Sequence, residues 1–167
     1  MDGQKIIELK DAIIYQGSNL VLSNLNLTIL KGEFVYLVGK TGMGKSSLLK
    51  VLYGDLPISG GFGMVAGNDL TEMNWKKLPF LRRHLGIVFQ DFQLLTDRSV
   101  EANLNFVLNA TGWTDKSAMA DRVNEVLSMV GLGSKGYKMP FELSGGEQQR
   151  VVIARALLNH PELILAD

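Results

Sequence analysis

Eight residues, Gly39-Lys40-Thr41-Gly42-Met43-Gly44-Lys45-Ser46, constrain this chain more than any other stretch, because they fit the spacing G-x-x-x-x-G-K-S/T without a mismatch. Glycines at these places let consecutive backbone N–H groups turn inward around a polyphosphate, in dihedrals that a Cβ forbids. Lys45 supplies a mobile point charge for the outer phosphates. Ser46 is placed to ligate Mg²⁺, and the helix that follows aims its N-terminal dipole at the anion. The flanks agree with a strand, loop and helix: Glu33-Phe34-Val35-Tyr36-Leu37-Val38 is an apolar run suited to a buried strand, and Ser46 to Tyr53 reads as a helix stopped by Gly54.

Composition limits what can surround this loop. The 167 residues, 46% hydrophobic and 20% charged, suffice for one sizeable core. There is no stretch of roughly 18 consecutive apolar residues and no leader pattern, so the expected place is the cytoplasm. Zero cysteines exclude disulfides and thiolate metal sites, and His84 and His160 alone cannot build a zinc site. With 17 basic and 17 acidic residues, no global field draws the chain to nucleic acid or anionic lipid. The local basic cluster Lys76, Lys77, Arg82 and Arg83 is expected to be a solvated helix face.

Along the chain, Ile6 to Lys10 and Leu25 to Ile29 alternate around the turn-rich Gln16-Gly17-Ser18-Asn19 and predict a small antiparallel sheet. Pro57 and Gly60-Gly61 break the chain before a short strand near Met64-Val65-Ala66. Trp75 to Arg83 predicts a short helix interrupted near Pro79, and Leu85 to Phe89 a further strand. From Ser99 to Tyr137 the pattern is mostly helical, with Val123, Val126, Leu127 and Val130 on one face that is expected to meet a core. Ser144-Gly145-Gly146-Glu147 has the spacing of a capping box at a helix start. By its residues alone this turn stands open between a helix cap and an anion site. Glu162 to Asp167 predicts a buried strand ending on a carboxylate, either a turn residue or a magnesium ligand.

Taken together and in order, Gly39 to Ser46, Gln90 after an apolar strand, Leu143-Ser144-Gly145-Gly146-Glu147 and Leu163 to Asp167 resemble the nucleotide-binding domain of ABC-type ATPases over essentially the whole chain. The octet Leu143 to Arg150 resembles that family's own signature. The resemblance implies an α/β P-loop NTPase fold, with a RecA-like parallel sheet core, an N-terminal antiparallel β subdomain and a helical insert. In approximate ranges the β subdomain takes 1–35 and 58–68, the core 36–57, 69–92 and 151–167, and the helical part 93–150. It further implies ATP and Mg²⁺ as ligands. Gly39, Lys40, Thr41, Gly42, Met43, Gly44, Lys45, Ser46 and Ser47 would hold the phosphates, Tyr15 would stack on adenine, and Ser46, Gln90 and Asp167 would serve Mg²⁺.

Lys45, Gln90 and Asp167 would then be catalytic, and Ser144, Gly145, Gly146 and Glu147 would reach the nucleotide of a second copy in a homodimer. The Gln90 loop would meet an integral membrane partner that keeps the protein on the inner face of the plasma membrane. The segment Leu94-Leu95-Thr96-Asp97-Arg98-Ser99-Val100 is similar to the family's bacterial cell-division branch, whose members act with a membrane protein in the control of cell-wall hydrolysis. Lipoprotein-release and macrolide-efflux ATPases share most other features, and a nucleotide-dependent scaffold with little turnover is the alternative of another class. A phosphate-loop kinase or GTPase fits less well, given the Ser144 signature and the absence of an Asn-Lys-x-Asp motif.

Two departures stand out. The signature carries Glu147 where many members have Gln, which keeps the capping box. In the family, Asp167 is followed by a water-polarising glutamate and later a switch histidine. The expectation is therefore the N-terminal part of a longer protein, marginally stable and negligibly active as these 167 residues alone.

Overall fold

The computed structural model describes residues 3–167. They form two compact units, one up to Leu85 and one from Gly86 to Asp167.

The first unit is built on a hairpin of β1 (Lys5–Gln16) and β2 (Asn19–Leu30), joined through Gly17 at φ 61°. Strands β3 (Gly60–Val65) and β4 (Asn68–Asp69) extend it into an antiparallel sheet of order β2-β1-β3-β4. Strand β1 is central, and its Ile7, Leu9 and Ile14 are almost wholly buried, each contributing about 1.5–3 kcal/mol of transfer free energy. The pairing is not regular. Asp11 turns to φ 47° in a bulge, where its N–H and carboxylate exchange hydrogen bonds with the Asn26 amide, each at 3.0 Å. Opposite the bulge, Gly61 sits at φ 78° so close that a Cβ would lie 2.4 Å from the Lys10 and Asp11 carbonyl oxygens, so no larger residue fits.

Helix α1 (Lys45–Leu52) follows the glycine loop and buries Leu48, Val51 and Leu52, with Gly54 at φ 75° just beyond its end. Helix α2 (Leu78–Arg83) is shorter than the sequence predicts. Pro79 lies in its first turn, where a missing N–H costs nothing, and so starts the helix rather than interrupting it. Of the basic cluster, Lys77 pairs with Glu72 and Arg82 donates to the Tyr53 carbonyl, while Lys76 and Arg83 lie over the Trp75 and Phe80 rings.

A further expectation fails in this unit. Glu33 to Val38 takes up no regular structure, among the described residues no strand pairs with it, and Phe34, Tyr36 and Val38 are more than four-fifths exposed. An apolar run signals suitability for burial, whereas burial itself needs strands on both sides to satisfy the backbone and helices to cover the faces.

The second unit packs α3 (Val100–Ala110), α4 (Lys116–Met129) and α5 (Gly145–Leu157) around one core of Leu104, Leu108, Met119, Val123, Val126, Leu127, Val151 and Leu158. The α4 stripe therefore faces the core, as its period predicts. Ser99 and Asp115 cap α3 and α4 by accepting backbone N–H bonds from their first turns. Two buried polar residues organise the connections. Asn103 donates to the carbonyls of Leu95, Arg98 and Ser99 and accepts from Leu95 N–H, and Arg122 donates to the Leu157 and Leu158 carbonyls at the end of α5. Strands β5 (Leu85–Val88) and β6 (Leu163–Ala166) pair beside the bundle. Only Leu165 of β6 is buried and Ile164 is half exposed, so the fully buried terminal strand expected from sequence is not what forms.

Candidate nucleotide site

The glycine loop has the backbone that its spacing requires. Gly42 and Gly44 lie at φ 83° and 86°, and a Cβ on Gly44 would come within 2.7 Å of Val21 Cγ1. Gly44 also caps α1 without any side chain, and no acidic residue occupies the first turn, so the N-terminal amides of α1 face no carboxylate of their own helix. The Lys45 ammonium folds back over the loop and donates to the carbonyls of Gly39 (2.7 Å) and Lys40 (2.8 Å). Lys40, Thr41 and Met43 are exposed along the same loop, as is Ser46 at its end. These features fit a polyphosphate: a cradle only glycine permits, a cation above it, and a helix start aimed at it.

Ser47 is buried, and its hydroxyl donates to Gln16 Oε1 at 3.4 Å, which ties the first turn of α1 to the end of β1. Its neighbour on β1, Tyr15, is an exposed aromatic, 41% accessible, paired across the hairpin with Leu20. The first unit thus brings Tyr15 and the glycine loop to the same end of β1.

The other predicted residues lie in the second unit. The Asp167 N–H donates to the Val88 carbonyl at 3.1 Å, which sets the tip of β6 beside the end of β5, two residues before Gln90. Gln90 and Asp167 are both exposed there. After Gln90 the chain takes an unusual course, with Phe92 and Gln93 in succession at φ 54° and 49°. Arg155, on α5, holds this course by donating to the Gln93 carbonyl at 2.6 Å and the Phe92 carbonyl at 2.8 Å. Desolvation pushes its guanidinium pKa down without discharging it. Among the described residues no three His, Asp or Glu side chains gather as a metal site.

At the opposite end of α5 the Ser144 turn forms a complete capping box. Ser144 Oγ accepts from Glu147 N–H at 3.3 Å, and Glu147 Oε2 accepts from Ser144 N–H at 2.8 Å and from its hydroxyl at 2.9 Å. Gly145 and Gly146 are exposed, with nothing within 4 Å of where a Cβ would stand. The remaining Glu147 oxygen accepts from the Lys135 ammonium. That ion pair, with the two bonds from Ser144, holds the Glu147 carboxyl down to about 2. Sequence reasoning names neither Arg155 nor Lys135. Arg155 offers no signal beyond a cation on a helix, and Lys135 only a cation in the approach to the signature.

A profile of the ABC transporter family matches residues 22–167. The cell division ATP-binding protein FtsE of Streptococcus pneumoniae is 40% identical over 163 residues, covering 97% of this chain and 70% of that protein. The methionine import ATP-binding protein MetN of Corynebacterium diphtheriae is 44% identical over 147 residues, covering 87% of this chain and 43% of its own length. Among solved structures, the dimeric post-hydrolysis state of the ATP-binding cassette MJ0796 bound to ADP and Pi superposes with a TM-score of 0.85 at 34% identity, over 96% of this chain and 73% of that one. No helix among the described residues is long and apolar enough to cross a membrane. With the glycine loop, the signature turn and these matches in agreement, the chain belongs to the ABC transporter family, as an ATP-hydrolysing, ATP-binding cassette with a P-loop NTPase fold.

Proposed function

We propose that this cassette is the ATPase subunit of a cell-division complex, acting with an FtsX-like integral membrane protein on the inner face of the plasma membrane in the control of cell-wall hydrolysis. Identity of 40% to FtsE over 97% of the chain supports the branch. In this reading the chain is a single ATP-binding domain, and Gln90 lies in the loop that meets the membrane partner. Two copies close head-to-tail, so that Ser144, Gly145 and Gly146 of one, with Glu147 behind them, reach the γ-phosphate held by Lys45 and Ser46 of the other. The observation that supports this is the Ser144 turn, whose Gly145 and Gly146 are exposed at the start of α5, where helix-start amides would receive an anion.

Within this mechanism the side chains position and stabilise more than they react. The loop from Gly39 to Ser46, with Ser47 behind it, would bind the phosphates, and Tyr15 would stack on the base. Lys45 would move its ammonium from two carbonyls to the outer phosphates, where it meets charge developing in the transition state. Ser46, Gln90 and Asp167 are the residues that would hold Mg²⁺, an ion that would supply neutralisation of phosphate charge. Gln90 would also orient the attacking water.

The test mixes a Lys45→Ala chain with a Ser144→Arg chain. Composite sites predict partial recovery of turnover over either variant alone, and no recovery refutes them. Phosphate release with and without the FtsX-like protein separates a coupled motor, which is stimulated, from a nucleotide-dependent scaffold, which is not. The 44% identity to MetN favours a second reading, an import ATPase, and stimulation by an import permease instead would select it.

A further inference from the structure

Lys135 belongs to no motif, yet it reaches the signature. It lies between α4 and α5 in a turn whose backbone is pinned on both sides: its N–H donates to the Leu132 carbonyl at 2.8 Å, and its carbonyl accepts from Lys138 N–H at 3.1 Å. From there the ammonium meets one oxygen of Glu147, and the other oxygen of that carboxylate holds both the N–H and the hydroxyl of Ser144. The connection from Lys135 to the Ser144 hydroxyl is therefore continuous through a single carboxylate. Glu147 is mostly shielded, with 16% of its side chain accessible.

This arrangement poses an electrostatic problem for an anion-receiving turn. A carboxylate one hydrogen bond from the receiving hydroxyl repels an incoming phosphate, and it also occupies the proton that the hydroxyl would donate. Repulsion between like charges strengthens as an interface closes and water leaves. A cation fixed on the far oxygen cancels the charge where it arises and draws the carboxylate's electron density away from Ser144. No other cation is paired with Glu147 among the ion pairs of the described residues.

We propose that Lys135 is a positioning residue of the signature turn, neutralising and orienting Glu147 so that Ser144 can turn its hydroxyl toward the γ-phosphate bound by a second copy. This rests on the head-to-tail reading above. In this role Lys135 acts only through Glu147.

The experiment uses the full-length protein carrying Lys135→Met, Glu147→Gln, both together, or Lys135→Arg. Lys135→Met is expected to weaken ATP-dependent dimerisation and lower kcat/KM by about tenfold, while the Kd for ATP of the isolated protomer, set by the Lys45 loop, stays within twofold. Adding Glu147→Gln to Lys135→Met removes the uncompensated charge and restores kcat/KM to the level of Glu147→Gln alone. Lys135→Arg keeps most of the activity. A purely structural lysine would not be rescued by deleting its partner's charge, so a double variant no better than Lys135→Met overturns the proposal, as does a Lys135→Met protein within twofold of the parent. Complementation between Lys45→Ala and Ser144→Arg chains is measured alongside. Recovery there with an inert Lys135→Met removes Lys135 and leaves the composite site standing, whereas failed complementation removes the composite site and the inference with it.

Discussion

Replacing Arg155 with alanine asks whether one side chain holds the loop after Gln90 in place. Its two hydrogen bonds to the Phe92 and Gln93 carbonyls come from a charged donor that is only partly buried, so about 1.5 kcal/mol each is appropriate, about 3 together. Against this stands the backbone at Phe92 and Gln93, two successive residues with side chains in the left-handed region, at about 1 kcal/mol each. The held loop is thus favoured by about 1 kcal/mol and forms in roughly 85% of molecules. Without Arg155 the balance reverses to about 2 kcal/mol against it, leaving about 3%. If the held loop is the one that presents Gln90 to the reaction, kcat falls about 25-fold while the Kd for ATP stays unchanged. Adding Gln93→Gly to the variant relieves about 1 kcal/mol of strain and returns about fivefold of the lost rate. Steady-state phosphate release measures both, with near-UV circular dichroism to show that the proteins are folded. A folded Arg155→Ala protein within threefold of the parent, or no gain from the glycine, refutes the reasoning.

Three further outcomes are expected. Gly44→Ala places a Cβ at φ 86° against Val21, costs about 1–2 kcal/mol in backbone alone and weakens ATP binding by at least tenfold in isothermal titration; unchanged affinity would show that the loop does not need this dihedral. Asn103→Asp turns a carboxylate toward three carbonyls that the amide now serves, and urea unfolding should show a loss of about 3–5 kcal/mol, against about 1–3 for Asn103→Leu; the reverse order would contradict the network. Glu147, lowered from 4.5 to about 2, contributes stability that is fully present above pH 4.5 and lost as pH falls toward 2. The stability difference between the parent and Glu147→Gln should therefore shrink across that window, and a difference independent of pH would exclude the ion pair as its source.

Much of this fold is legible in the sequence, for reasons that are local. The hairpin follows from alternation on both sides of Gly17-Ser18, the α4 core face from its period, and the capping box from two residues three apart, because each depends on neighbours within a turn or two of chain. The glycine loop is likewise local, since its dihedrals are fixed by which positions lack a Cβ. What sequence misses is non-local. Arg155 meets a carbonyl 62 residues earlier in the chain, and nothing in either segment announces the other. Lys135 resembles any surface lysine along the chain, and only folding carries it to the Glu147 carboxylate, 12 residues on. The run from Phe34 to Val38 errs the other way, because composition describes what a strand would tolerate and pairing decides whether it is one.

Lys45, held by the Gly39 and Lys40 carbonyls, also bears on which molecules the loop accepts. A ligand that recruits this ammonium must replace two hydrogen bonds already made, and only a polyanion returns more than it takes. In the proposed function, adenosine would stack on Tyr15 and gain nothing at the loop, whereas each added phosphate would offer Lys45 a better partner than the backbone does. In the proposed function, the contacts of this single lysine would make the loop a counter of phosphates, graded by charge before any chemistry begins.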